Sequence, residues 1–282
     1  MRRRVEAHQF IWRRTFAAPS PTDDPRGWPW TSAWDIIVAV PHEITTEALV
    51  LRRFDTGEAD RVVWLLTPGR GRLSAFAAAA RKSQRRFAGA LEPFTRLSVQ
   101  LTPPTRGDLW RFVDAQVLDG HASLRDSLEA MACASAASEL TAALAVEGDG
   151  RHGPRGLYEI LLAYLRALVS GPLPNDLYRF VFLALQAAGL RPSFSACVRC
   201  GQTAASEGEY FDPAEGGRLC GCCRPRTATA ARVSSGLLCA LQAFELGTAE
   251  CPSEGRALLW SYAQHQLGKE VKSLSFLREL GL

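Results

Sequence analysis

Lysine is almost missing from this chain: of 33 basic residues only Lys82, Lys269 and Lys272 are lysines, a skew expected of a GC-rich genome and weak evidence of function. Histidine is scarce too, with five in all and none between residues 153 and 264. That gap argues against a catalytic zinc centre in the stretch, because such centres use His or carboxylate ligands and keep one position open. No uninterrupted apolar run reaches the roughly 18 residues a spanning helix needs, so no membrane partner is expected. Behind Arg2, Arg3 and Arg4, the runs Phe10 to Trp12 and Ile36 to Val40 are too short for a secretory core. The expected compartment is the cytoplasm, where disulfides are rare. Also missing are H-E-x-x-H, G-x-S-x-G and a Walker-type glycine loop, so nothing supplies a nucleophile with its base and no enzyme is expected. Turnover of ATP or cleavage of DNA would revive that class.

What is present divides along the chain. A length of 282 residues suits two compact units, and 47% hydrophobic with 22% charged residues is an ordinary globular mixture. A net charge of +4 permits an anionic partner without demanding one. Residues 1–43 carry four of the seven tryptophans, several prolines and no steady period. They are expected to be an unstructured extension, or translated upstream sequence with the true start near Val38 or Val40. From 44 to 120, short runs rich in Val, Leu, Thr and aromatics alternate with turn signals. The runs are Glu47 to Phe54, Arg61 to Thr67, Arg72 to Ala78, Phe94 to Leu101 and Leu109 to Leu118. Five short strands suit a small closed barrel of the OB-fold kind, and an SH3-like barrel fits the pattern about as well. From 121 to 282 the texture is helical. Ser123 to Val146 reads as one or two helices, Leu157 to Leu168 as another, and Leu177 to Ala188 as a bundle-centre helix capped by Asn175 or Asp176. Ser234 to Leu246 and Gly255 to Leu280 complete the set. The fold class is α+β.

One motif is specific. Cys197-Val198-Arg199-Cys200-Gly201 precedes Cys220-Gly221-Cys222-Cys223, two C-x2-C knuckles in the spacing of a closed structural zinc site within residues 195–226. A two-residue gap lets the backbone turn around a metal while both thiolates point at it, and Gly201 supplies the tight turn. Tyr210 and Phe211 read as strand, with Gly216-Gly217 as a hairpin turn. Cys222 and Cys223 compete as fourth ligand; Cys223 repeats the spacing of the first pair. Two disulfides or free thiols are the bland alternative. Arg199, Arg218, Arg224 and Arg226 stand close enough in sequence to offset the −2 charge of four thiolates on zinc. Cys133, Cys239 and Cys251 read as small buried hydrophobes.

Residues 45–119 hold twelve Arg or Lys against eight Asp or Glu, and no acidic residue falls between Asp60 and Glu92. Arg70, Arg72, Arg81, Lys82, Arg85 and Arg86 lie in that span. The loop Ala80 to Phe87 is a candidate phosphate clamp, against the ordinary alternative of a solvated basic loop. Trp64, Phe76, Phe87, Phe94, Trp110 and Phe112 could stack on bases, although half of each barrel strand points inward. Phe87, beside the loop, is the best of them.

Taken in order, several pieces resemble the RecO family of DNA repair proteins. They are Thr46-Glu47-Ala48-Leu49-Val50-Leu51, Gly57-Glu58-Ala59-Asp60-Arg61, Thr67-Pro68 through Gly71, Ala80-Arg81-Lys82-Ser83, Arg85-Arg86-Phe87, Gly89-Ala90-Leu91-Glu92-Pro93-Phe94, Leu157-Tyr158-Glu159 and the cysteine ribbon. The likeness runs from about residue 45 to 275, and the additional thiol Cys222 departs from it. The resemblance implies an N-terminal OB-fold, a helical unit with an embedded zinc module, and a role in recombinational repair. It further implies binding of single- and double-stranded DNA, annealing of complementary strands, and work with RecR and single-stranded-DNA-binding protein, through its C-terminal tail, to load RecA. Transferred here, Arg81, Lys82, Arg85 and Arg86 lead the DNA contacts. The rival readings are a zinc-ribbon transcription or RNA-binding factor and a pure scaffold.

Overall fold

The structure, a computed structural model, describes residues 43–83, 87, 89–145, 156–171, 174–203, 208–223 and 228–281. The expectations for residues 1–42, and for Arg85, Arg86, Arg224 and Arg226, lie outside the described residues.

Five strands form a closed barrel: β1 (Ile44–Thr56), β2 (Asp60–Thr67), β3 (Gly71–Ala77), β4 (Arg96–Thr102) and β5 (Leu109–Asp119), in the order β1-β2-β3-β5-β4. All neighbours are antiparallel except β3 and β5, which close the barrel in parallel over Ser74–Phe76 and Leu109–Arg111. This is the OB-type barrel of the two expected. Its interior is filled by alternate residues, including Val50, Val63, Leu65, Leu73, Leu97, Val99 and Phe112. Alternation fails on β1, where Ala48, Leu49, Val50 and Leu51 are all buried. Ala48 and Val50 face the barrel interior, while Leu49 and Leu51 join Leu66 and Phe94 in the core of the helical part. A strand covered on both faces needs a continuous apolar run.

Phe94 does not open β4. It has φ 71, its N–H donates to the Val50 carbonyl at 2.8 Å, and Val50 N–H donates to the Thr95 carbonyl at 3.0 Å. The Gly89–Phe94 segment is therefore a turn docked on β1, and the strand starts at Arg96.

Beyond a short 3₁₀ turn (Ala122–Asp126) come α1 (Leu128–Leu144), α2 (Leu157–Val169), α3 (Pro174–Ala187), α4 (Ser235–Glu245), α5 (Ser253–Leu267) and α6 (Ser273–Glu279). The stretch expected as one or two helices breaks at extended Ser127, whose Oγ accepts the Ala130 N–H at 3.2 Å as an N-cap. The segment expected as one helix from Gly255 breaks at Gly268, in the left-handed region with φ 60. Asn175 does not cap its own helix, which begins at Pro174; its Oδ1 accepts the Cys251 N–H at 2.8 Å and ties α3 to the segment before α5. Helix α1 presents Ala132, Ala134, Ala136 and Ala137 fully inside the core, and its small side chains let α2, α3 and α6 approach closely. No helix among the described residues is long and apolar enough to cross a membrane.

A three-stranded ribbon interrupts the helices: β6 (Tyr210–Asp212), β7 (Gly217–Leu219) and β8 (Ala231–Arg232), in the order β7-β6-β8. The hairpin at Gly216-Gly217 is where the sequence places it. Aromatic rings seat the ribbon on the helices, with Phe182, Phe194, Phe211 and Tyr262 in succession at centroid spacings of 6.4, 5.7 and 5.8 Å.

A four-cysteine cluster and a basic barrel loop

The first knuckle turns as its glycine requires. Gly201, at φ 75, donates its N–H to the Cys197 carbonyl at 2.8 Å, and Cys197 N–H donates to the Gln202 carbonyl at 2.9 Å. In the second knuckle Cys223 N–H donates to the Cys220 carbonyl at 2.9 Å. The sulfurs of Cys197, Cys200, Cys220 and Cys223 all lie within 4.8 Å of one another, and Cys200 Sγ to Cys220 Sγ is 3.7 Å. Zinc–sulfur bonds of about 2.3 Å in a tetrahedron set sulfurs about 3.8 Å apart, so the donor set fits a tetrahedral thiolate site. All eight cysteines are free thiols in the structure, and the four of the cluster converge on one point rather than pairing off. Cys223 belongs to the four-sulfur cluster, whereas Cys222 is exposed and outside it.

The electrostatics agree. Burial works against ionising Cys197, but N–H donors from the backbone of Cys220, Cys200 and Arg199 outweigh it and bring the thiol down to about 6. Cys223 is pushed up to about 12 by the adjoining thiols of Cys200 and Cys220. A cluster that gives up one proton readily and resists losing the next is what a divalent cation relieves.

Two of the nearby arginines stand within electrostatic reach of the thiols, as expected, and pair with carboxylates as well. Arg199 pairs with Glu215 at 2.5 Å, and Arg218 is buried against Glu209 at 2.7 Å. Each cation thus faces a carboxylate of the ribbon as well as the cysteine cluster. Of the other cysteines, Cys133 and Cys251 are buried as expected, whereas Cys239 is exposed on α4.

The barrel residues singled out for nucleic acid separate into three groups. Arg81 and Lys82 are exposed in the loop leaving β3. The loop is anchored on the β1–β2 turn: Asp60 Oδ1 accepts the Ala79 N–H at 2.7 Å, Arg81 N–H donates to the Ala59 carbonyl at 2.8 Å, and Arg81 Nη1 donates to the Gly57 carbonyl at 3.2 Å. Two stretches that carried the family resemblance, around Gly57 and around Arg81, meet here. Arg70 lies half-buried in the β2–β3 turn with its guanidinium 5.7 Å from the Trp110 ring.

Arg72 and Phe87 pack against the rest of the chain. Arg72 Nη1 donates to the Ala142 carbonyl on α1 at 2.9 Å and its guanidinium covers Trp64 at 4.4 Å, so it fastens the barrel to the helices. Phe87 is 5% exposed and packs edge-on against Phe112 at 5.6 Å inside the barrel, which removes it as a base-stacking platform. An apolar ring beside a basic loop is covered by the barrel interior more cheaply than by solvent.

Sequence reasoning missed one polar junction. Glu47 on β1 accepts from Arg96 Nη2 at 2.8 Å and from the Tyr158 hydroxyl on α2 at 3.0 Å. Tyr158 is itself buried, and burial pushes its hydroxyl up to about 12. The signal available was the co-occurrence of Glu47 and Tyr158 in the family-like stretches, but their separation of 111 residues hides the contact.

An OB-type barrel continuous with a helical unit that carries a four-thiol ribbon defines an architectural class. Comparison with known proteins narrows it. Residues 42–121 match the family model "Recombination protein O N terminal" and residues 125–275 match "Recombination protein O C terminal". The chain is similar to the DNA repair protein RecO of Anaeromyxobacter dehalogenans (strain 2CP-C), 40% identical over 245 residues, covering 83% of this chain and 95% of the relative. The RecO of Myxococcus xanthus (strain DK1622) is 40% identical over 241 residues, covering 84% and 97%, and that of Syntrophotalea carbinolica is 32% identical over 247 residues, covering 84% and 94%. The chain belongs to the RecO family of DNA repair proteins.

Proposed function

We propose that the chain is a recombination mediator without catalytic chemistry of its own, which binds single- and double-stranded DNA, anneals complementary strands and promotes RecA loading. It does so in the cytoplasm, at the nucleoid, with RecR and the C-terminal tail of single-stranded-DNA-binding protein. The barrel, residues 44–120, takes the DNA, and residues 121–282 receive the protein partners. The observation that carries the reading is the exposed Arg81-Lys82 pair, held on the β1–β2 turn of a barrel from a DNA repair family. In this reading Arg70, Arg85 and Arg86 add to the positive charge of the barrel region, which attracts phosphates by releasing their counterions. Cys197, Cys200, Cys220 and Cys223 hold zinc in a closed structural role.

Annealing of complementary oligonucleotides, measured alongside zinc content, tests the whole reading. Reversing both charges, Arg81→Glu with Lys82→Glu, should weaken binding across sequences and lower the slope of log affinity against log salt by roughly two. Unchanged affinity takes the loop out of the site. DNA binding by the wild type without any annealing points instead to a zinc-ribbon transcription or RNA-binding factor.

A further inference from the structure

The side chain of Arg218 is 2% exposed and that of its partner Glu209 1%. Arginine and glutamate almost never go inside unless paired, and removing such a pair from water carries a desolvation penalty that the pairing barely offsets. Its position in the ribbon indicates what the pair does. The guanidinium meets Glu209 in a fork, Nε to Oε2 at 2.7 Å and Nη2 to Oε1 at 2.9 Å. Its remaining nitrogen, Nη1, donates to the carbonyls of Ser195 at 2.6 Å and Thr203 at 2.9 Å. Ser195 precedes Cys197 and Thr203 follows Cys200, so one side chain grips the first knuckle from both flanks. The backbone of the same residue adds two bonds: Val198 N–H donates to the Arg218 carbonyl at 2.9 Å, and Arg218 N–H donates to the Ser193 carbonyl at 2.9 Å. Arg218 also sits on β7, two residues before Cys220, the first sulfur of the second knuckle. Glu209 leads into β6, and its carbonyl accepts the Val233 N–H at 2.9 Å beside β8.

We propose that Arg218, forked to Glu209, is a positioning residue that holds the two cysteine knuckles at metal-binding separation before any metal arrives. The proposal rests on the reading that the cluster takes a metal. In many small zinc modules the ion itself does the ordering, and the metal-free chain unfolds locally. Here bonds made by protein atoms alone join the knuckles, so the metal-free ribbon keeps its cradle. Lysine cannot substitute: a point ammonium offers no planar fork to serve a carboxylate and two carbonyls together. Positioning groups of this kind typically alter metal affinity by roughly tenfold to a hundredfold when removed.

The test uses full-length reduced protein, stripped with a chelator and then offered zinc or cobalt. Hydrogen exchange across residues 195–203 reports the cradle, the cobalt–thiolate absorption reports its geometry, and transfer of zinc to a chelating dye reports the release rate. The metal-free wild type should retain most of its protection and rebind in one fast phase. Arg218→Met should lose that protection when stripped and release zinc at least about tenfold faster, and Arg218→Lys should restore little. Should Arg218→Met fail to fold even with zinc, Glu209→Gln decides, since it keeps the shape and removes the charge; it should show the same direction of change in a folded protein. Rebinding and release at wild-type rates in these variants, or a stripped wild type as unprotected as the variants, overturns the proposal. A wild type that takes up neither metal overturns the metal reading and this proposal with it, whereas metal uptake insensitive to Arg218 and Glu209 overturns only the latter.

Discussion

Gly217 stands where a side chain has no room: a Cβ there would meet the Ser193 carbonyl oxygen at 2.4 Å and the Ser193 nitrogen at 2.9 Å. The obstacle is backbone, so it cannot swing aside, and β7 would have to part from the strand-like Ser193 that bridges to it. Gly217→Ala is expected to cost about 1–3 kcal/mol by overpacking, read as a lower urea midpoint at unchanged slope. Glu47 offers a residue-level effect of pH. Hydrogen bonding from Arg96, then from Tyr158, holds its carboxyl below the ordinary 4.5. A carboxylate whose folded pKa is depressed contributes stability that is fully present above the unfolded value and lost as pH falls through the folded one. Wild-type stability should therefore include this contribution at neutral pH and shed it below about pH 4.5, while Glu47→Gln should show a flatter acid limb in urea titrations at successive pH values. An acid limb identical in the two proteins would assign the loss to other carboxylates.

Between elements, the structure repeatedly uses a side chain of one to close the end of another. Arg72 of β3 supplies a charged donor to the Ala142 carbonyl in the last turn of α1, where intrahelical partners run out. Glu139 of α1 accepts from the N–H groups of Lys272 and Ser273, both at 2.9 Å, at the start of α6. Arg72→Met keeps the contact with Trp64 and removes the donor; a loss of about 1–2 kcal/mol is expected, with DNA affinity barely changed if Arg72 works for the junction. A large fall in DNA affinity at intact stability would return it to the binding surface. These contacts explain what was legible along the chain. Strand positions followed from period-2 patterning and from turn residues such as Asp55-Thr56-Gly57, which act locally. The sequence places Phe94 at the head of a strand, because an aromatic followed by β-branched and apolar neighbours has that local preference. Its left-handed turn is set by hydrogen bonds to Val50, over forty positions earlier.

At the scale of the molecule, Leu49, Leu51, Leu66 and Phe94 of the barrel region lie in one hydrophobic core with the helices. A barrel and helical part that share a core and a polar junction at Glu47 and Tyr158 should unfold together. Calorimetry of residues 41–282 should give one transition whose calorimetric and van't Hoff enthalpies agree, and two separated transitions would show that the shared core does not couple them. The sequence by itself determined the barrel, the helical texture and the metal-ligand spacing, because alternation, helical period and C-x2-C act over a few residues. Only the tertiary structure decided which arginines face solvent. Arg81, Arg72 and Arg218 look alike in sequence, yet one is exposed on a loop, one fastens two elements and one is buried in the ribbon, since a flexible side chain is placed by whichever acceptors the folded chain brings to it.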